Sequence, residues 1–313
     1  MAADDSARVA ARHAAARRLH VDRAAGEAIT ALERAGIPCI LLKGASIARW
    51  LFSAEDARTY SDCDLLVEPS KLDSAVAVLT GLGYKPELDE SEMPAWWREH
   101  AITAHRAADG AIIDVHRSIQ GVYVSDASAW TILSQVTETL ALGTVTAQVL
   151  PEYGRAMHAA LHAAQHAGTA RDLEVLSRAL VKVTDETWRT AALLAERLQA
   201  TAALHRGLAF LPEGAELIER LGLAEGAELA VDLRAMRARE ALTLARLIHT
   251  PGLGRRASII ARKLFPPSTF MRKWSPLARR GSLGLIAAYC WRPLWIASRL
   301  PSALRALRSA RER

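Results

Sequence analysis

The sequence predicts an α+β protein: a small mixed β-sheet flanked by helices, then an all-helical domain and a basic C-terminal tail. Before about residue 150, short apolar runs of strand formers bounded by glycine turns are interspersed with helical stretches. From Pro151 onward the chain changes to long Ala, Leu, Glu and Arg stretches with helical periodicity. Charge then shifts: residues 255–313 hold 14 Lys and Arg against one Glu, a net +13, leaving 26 against 33, a net −7, for residues 1–254. The expected organisation is a mixed unit with an N-terminal helix over 1–150, a helical domain over 151–254 and a basic, Trp-containing segment over 255–313.

A chain of 313 residues with 50% hydrophobic content can bury a real core, which sets disorder aside. Cys39, Cys63 and Cys290 are too scattered for a disulfide framework or a CxxC metal site, and a reducing cytoplasm is expected. Asp4 and Asp5, followed by Arg8, Arg12, Arg17 and Arg18 among alanines, read as a helix and not as the apolar core of a signal peptide. The most apolar stretch of the tail, Leu283 to Ser298, is broken by Arg292 and Pro293 and falls short of the roughly 18–20 residues that a spanning helix needs. No transmembrane segment is predicted, and any membrane contact would be peripheral.

Taken in order, a helix runs to about Gly36, and Ile37–Leu42 forms a strand ending in the Lys43-Gly44 turn. A helix carries Ile47, Trp50 and Leu51 at helical spacing, and after a polar loop through Arg58 the run Asp62–Val67 reads as a second strand. Pro69 opens a helix through Leu72, Val76 and Leu79 that stops at Gly81 and Gly83, whereas the segment around Trp96 and Trp97 stays unassigned. Ile102–Arg106 and Ala111–His116, joined at Asp109-Gly110, predict an antiparallel hairpin. The half that follows reads as all helix, including Tyr153–Ala167, Leu173–Val183, Thr187–Leu198 and Ala224–Ile248.

Chemistry gathers in the first unit. On an extended strand Asp62 and Asp64 point the same way, and two adjacent carboxylates repel unless a cation lies between them. A hard ion such as Mg²⁺, or Mn²⁺ in its place, suits two carboxylates plus substrate phosphates, although solvated aspartates at a strand edge are the plainer alternative. Asp114 is an acidic residue within the β-branched run Ile112–Val115, where no charge is expected without a use. Three carboxylates on neighbouring strands can hold the ions of an in-line displacement. His116 shares the face of Asp114, and its plainer role is a bond to a neighbouring backbone carbonyl. Lys43 and Gly44 can cradle phosphate at a helix start, Ser46 can add a hydroxyl, and Arg58 can reach the same phosphates or stay solvated.

The stretches LLKGASIARWLF, RTYSDCDLLV and HRAADGAIIDVHRSI, in that order, resemble the uncharacterised nucleotidyltransferase family of the polymerase-β-like superfamily. That family shows a Lys-Gly turn, an Arg-x-x-Ser-Asp-x-Asp-Leu-Leu-Val block and a later Asp-x-His strand. The resemblance extends more loosely to LHAAQH, LFPPSTFMRKW and AYCWRP, and departs at Ala45, where Ser is common in the wider superfamily. It implies a nucleotidyltransferase core with Gly44, Asp62, Asp64 and Asp114 in the active site, an NTP donor and an acceptor presented by the helical domain. The acceptor class, whether small molecule, peptide or protein, is open, because a fold does not fix a substrate. The competing expectation is a nucleotide-binding or regulatory protein on the same scaffold.

His158, His162 and His166 line one helix face, and a structural or substrate-facing stripe is favoured over zinc because Glu152 and Asp172 are not assured of proximity. Trp274, Trp291 and Trp295 among the basic residues suit an anionic membrane surface, a nucleic acid or an acidic partner, or a tail folded back on the rest of the chain.

Overall fold

The computed structural model describes residues 2–53, 60–87, 100–225, 231–233, 239–250 and 252–311. Helix α1 (Ala2–Arg34) leads into β1 (Cys39–Leu41), α2 (Ala45–Leu51) and β2 (Cys63–Val67). A short 3-10 helix (Pro69–Lys71) precedes α3 (Leu72–Gly81), β3 (Tyr84–Pro86), β4 (Ala101–Arg106), β5 (Ala111–His116), α4 (Asp126–Ser134), β6 (Glu138–Leu142) and β7 (Val145–Val149). Helices α5 (Glu152–Gln165), α6 (Ala170–Lys182), α7 (Asp185–Arg197), α8 (Thr201–Leu208) and α9 (Pro212–Leu221) follow. Then come α10 (Arg239–His249), α11 (Leu253–Leu264), α12 (Ser268–Trp274) and α13 (Gly281–Arg311).

Seven strands form one mixed sheet in the order β3-β4-β5-β2-β1-β7-β6. β2 runs parallel to β5 and antiparallel to β1, while β1 pairs in parallel with β7. The alternation of β2 explains its central place. Cys63, Leu65 and Val67 enter a core with Ala25, Ala28, Ile29 and Leu32 of α1 and with Leu72 and Leu79 of α3. Leu66 points the other way, into a second core with Ile40, Leu42 and the alanine-rich α5. The face that carries Leu66 also carries Asp64, so the carboxylate is aimed at the layer between sheet and helices.

The structure departs from the sequence reading in a hairpin and in a helix, and adds strand β3 and helix α4, which that reading did not assign. The β6–β7 hairpin, turned at Gly143 with φ +64°, was not anticipated: β6 lies at the sheet edge with little of its surface buried, so it lacks the alternation that marks a half-buried strand. The helix expected from Ala224 does not begin there, since residues 223–225 are not helical; residues 231–233 and α10 are, and the stretches between lie outside the described residues. The Trp96–Trp97 segment also lies outside them.

The basic tail folds into α11, α12 and the long α13. Ala303, Leu307 and Ala310 of α13 pack on Leu233, Ala241 and Ala245. Buried Arg292 spreads its guanidinium over the rings of Trp274 (4.7 Å) and Phe270 (5.0 Å) and donates from Nε to the Lys263 carbonyl at 2.8 Å. Trp274 and Trp295 meet edge to face, whereas Trp291 stays exposed. No helix among the described residues is long and apolar enough to cross a membrane.

Candidate active site

Parallel pairing of β2 with β5 sets Asp64 beside Asp114 and Leu66 beside His116. One carboxylate oxygen from each aspartate and one imidazole nitrogen of His116 lie within 4.8 Å of one another. Asp64 is nearly enclosed. Its Oδ1 accepts from the Lys43 ammonium at 3.2 Å and lies 2.9 Å from His116 Nε2. His116 thus bonds a carboxylate, where the sequence reading favoured a backbone carbonyl, because the parallel register leaves it two residues beyond Asp114 on the same face, diagonal to Asp64. Asp62, one residue before β2, is half-buried on the same cavity of about 610 Å³, which Lys43, Gly44, Asp64, Asp114 and His116 also line.

Electrostatics separate the three aspartates. Burial raises the Asp62 carboxyl above its ordinary range, and the nearby Asp64 and Asp114 charges raise it further. Burial also opposes ionisation of Asp64, but Lys43 and the His116 bond outweigh it and hold this carboxyl well below the usual value. Asp114 Oδ1 is buried and has no hydrogen-bond partner among the described residues. An unsatisfied buried carboxylate oxygen costs on the order of 1–3 kcal/mol, and a divalent cation shared with Asp64 would remove that cost. The donor set therefore fits a hard divalent ion.

Gly44 starts α2 with φ +66° and ψ −119°, a conformation nearly closed to other residues. A Cβ there would also meet the Asp62 carbonyl oxygen at 3.3 Å and the Tyr60 ring at 3.5 Å. Gly44→Ala is therefore expected to destabilise the fold by about 1–3 kcal/mol and to shift the backbone that carries Asp62, measurable as a lower midpoint in urea. Ser46 does not line the cavity: it is completely buried, and its hydroxyl has no partner among the described residues. Arg58 lies outside the described residues.

The opposite wall comes from α5 and α6. His158, His162 and His166 face the cavity along α5, and the chain turns at Ala167 and Gly168, both with positive φ, into α6. Asp172, in the first turn of α6, then meets His162 Nδ1 with Oδ1 at 2.9 Å and His166 Nδ1 with Oδ2 at 3.2 Å. Thr169, the N-cap of α6, also donates its hydroxyl to Asp172 Oδ2. The sequence reading weighed Asp172 beside the histidines but could not assure its proximity. The signal was present, since Thr169-x-x-Asp172 is the spacing of a capping box, which puts the carboxylate at the start of a new helix. Phe270, from the tail, was missed as a wall residue as well.

Burial, then the charges of Lys43 and His162, push His158 well below the ordinary histidine value. Burial likewise lowers His162 to about 4, against the pull of Asp172. Both native values lie below the unfolded value of about 6.5, so the unfolded chain binds more protons in acid. Their effect on stability is constant above about pH 6.5 and turns unfavourable below it, by up to about 1.4 kcal/mol per pH unit for each histidine. Melting temperature should fall between about pH 6.5 and 5, and His158→Gln should flatten that fall.

The mixed sheet presents paired carboxylates and a Lys-Gly turn to one cavity, and family membership gives the class of the protein, a nucleotidyltransferase. Residues 3–214 match the family described as uncharacterised nucleotidyltransferase, and the chain belongs to that family. Among solved structures, it is similar to the antibiotic-resistance factor ANT(2'')-Ia in solution, at 12% identity and a TM-score of 0.37, over 63% of this chain and 95% of that one. It is also similar to an antigenic nucleotidyltransferase-like protein from Paracoccidioides brasiliensis, at 14% identity and a TM-score of 0.38, over 64% of this chain and 91% of that one. No curated protein matches the chain significantly.

Proposed function

We propose that the chain moves a nucleoside monophosphate from an NTP to a hydroxyl or phosphate acceptor and releases pyrophosphate, with Asp62, Asp64 and Asp114 as the catalytic carboxylates. The observation that carries this reading is the buried, unpartnered oxygen of Asp114 set in register beside Asp64. Asp64 and Asp114, with Asp62 at the cavity side, would hold Mg²⁺ or Mn²⁺. The ion's contribution, when bound, is to neutralise charge on the phosphates and to acidify the attacking hydroxyl.

The remaining work falls to the chain itself. Lys43 keeps Asp64 ionised and adds positive charge where a triphosphate would lie. Gly44 lets the backbone turn tightly against Asp62 and Tyr60, where a Cβ would not fit, and at the start of α2 it would leave room for phosphate oxygens. His116 bonds the same Asp64 oxygen, Oδ1, that accepts from Lys43, and so helps to fix the carboxylate. The α5–α6 wall and Phe270 would shape the acceptor side of the cavity and exclude water from it. We place the protein in the cytoplasm on this reading, as NTP and divalent cations are held there.

The test is incubation of the full chain with each α-labelled NTP, Mg²⁺ and a pool of hydroxyl- and phosphate-bearing acceptors, with mass spectrometry for an added monophosphate. Labelled product with release of pyrophosphate is expected. Nucleotide binding without any transfer or pyrophosphate release would favour a regulatory binding protein on the same scaffold.

A further inference from the structure

The pair His162–Asp172 sits across the cavity from the aspartates and differs from them in one respect. Asp172 is satisfied: Oδ1 takes His162, and Oδ2 takes His166 and the Thr169 hydroxyl. Asp114, by contrast, has a buried oxygen with no partner. Ligand atoms of His162, His166 and Asp172 also lie within 4.8 Å of one another, but a carboxylate with three donors needs no cation to offset its burial, and the same contacts orient the imidazoles.

We propose that His162, oriented by Asp172, is the base that takes the proton from the acceptor's nucleophilic hydroxyl. The inference rests on the nucleotidyl-transfer reading above and extends it to the acceptor side. With Nδ1–H given to Asp172, the neutral ring keeps its lone pair on Nε2, and its helix face borders the same cavity as Asp64 and Asp114. In the step itself, the acceptor O–H proton goes to Nε2 and the freed oxygen pair bonds the α-phosphorus. The α–β anhydride bond then breaks, with its electron pair leaving on pyrophosphate. The imidazolium so formed lies against Asp172, which stabilises it as it develops. Burial keeps the ring neutral beforehand, and the negative charge of an incoming triphosphate raises its basicity from the low value of about 4.

The experiment uses the full chain with α-labelled NTPs, Mg²⁺ and glycerol as the hydroxyl probe, comparing wild type, His162→Ala, Asp172→Asn and Asp64→Asn. His162→Ala should lose about 10²-fold or more in transfer, keep NTP binding within about twofold, and regain about tenfold with imidazole in the buffer. Asp172→Asn should lower kcat with the glycerol KM unchanged, as a positioning residue would. If His162→Ala melts early, His162→Gln carries the same comparison without the rescue, with NTP binding as the check on folding.

Transfer by His162→Ala within about threefold of wild type overturns the inference. So does a loss that imidazole cannot restore in a variant with normal melting and NTP binding, and so does stoichiometric zinc bound by wild type and lost in His162→Ala. A wild type inactive toward every NTP with glycerol and with the acceptor pool alike, or an Asp64→Asn variant as active as wild type, sinks the underlying transfer reading and this inference with it. Activity lost in Asp64→Asn but kept in His162→Ala removes the inference alone.

Discussion

Asp64→Asn and Asp114→Asn are each expected to lower transfer by roughly 10³-fold, while their effects on stability point in opposite directions. Either change removes a negative charge and leaves the side-chain volume intact, so the loss of activity cannot come from a cavity. Asp64 accepts from Lys43 and sits against His116, and its carboxylate is almost wholly buried. Neutralising it weakens both bonds and should cost about 1–3 kcal/mol, seen as a lower melting temperature. Asp114 has an unpartnered buried oxygen next to Asp64. Its neutralisation relieves like-charge repulsion in the metal-free protein, so melting should stay level or rise. Adding Mg²⁺ should stabilise wild type by mass action and stabilise neither variant. Wild-type transfer by either variant would show that the carboxylates do not hold the ion.

Gly207→Ala is expected to be the most destabilising single substitution in the helical half. Gly207 sits in α8 where that helix crosses α5, and a Cβ there would lie 1.9 Å from the Ala160 carbonyl oxygen and 2.6 Å from its carbonyl carbon. In an isolated helix Ala would be favoured over Gly by about 1 kcal/mol. The clash decides the sign, because it is with backbone of a central buried helix and no side-chain rotation can relieve it. Parting the helices opens the core around Leu161, Ala203 and Leu204, at a cost on the order of 3–5 kcal/mol. α5 carries His158 and His162 and is capped by His166, so transfer should fall together with stability. Urea unfolding of the variant is the measurement, and a midpoint close to wild type would mean that the crossing is looser than the structure describes.

Much of the fold was legible in local pattern. Alternation marked β2 and sent Cys63 and Leu65 away from Asp64, and the Asp109-Gly110 signal marked the β4–β5 hairpin, where Gly110 has φ +72°. The helical half was legible because each helix must bury one face, which prints a 3.6-residue period. The β6–β7 hairpin was not legible, since an exposed edge strand is held by backbone hydrogen bonds to its neighbour and leaves little trace in side-chain type. The tail hid its fold for a related reason: Arg292, which reads as a surface charge, is buried against Phe270 and Trp274.

The sequence by itself determined the kinds of chemistry available: an Asp pair on alternating positions, a third Asp in a strand, a Lys-Gly turn and histidines on one helix face. Each follows from short-range geometry, the two-residue repeat of a strand or the 3.6-residue repeat of a helix. Tertiary structure alone decided which groups meet. The parallel register of β2 with β5 sets Asp64 beside Asp114, and a slip of one residue would have turned Asp114 to the α1 side of the sheet. It also removed Ser46 into the core, brought Lys43 onto Asp64, and folded α6 back so that Asp172 reaches His162. Register and helix packing are set by burying two apolar faces at once, a property of the whole chain that no local window contains.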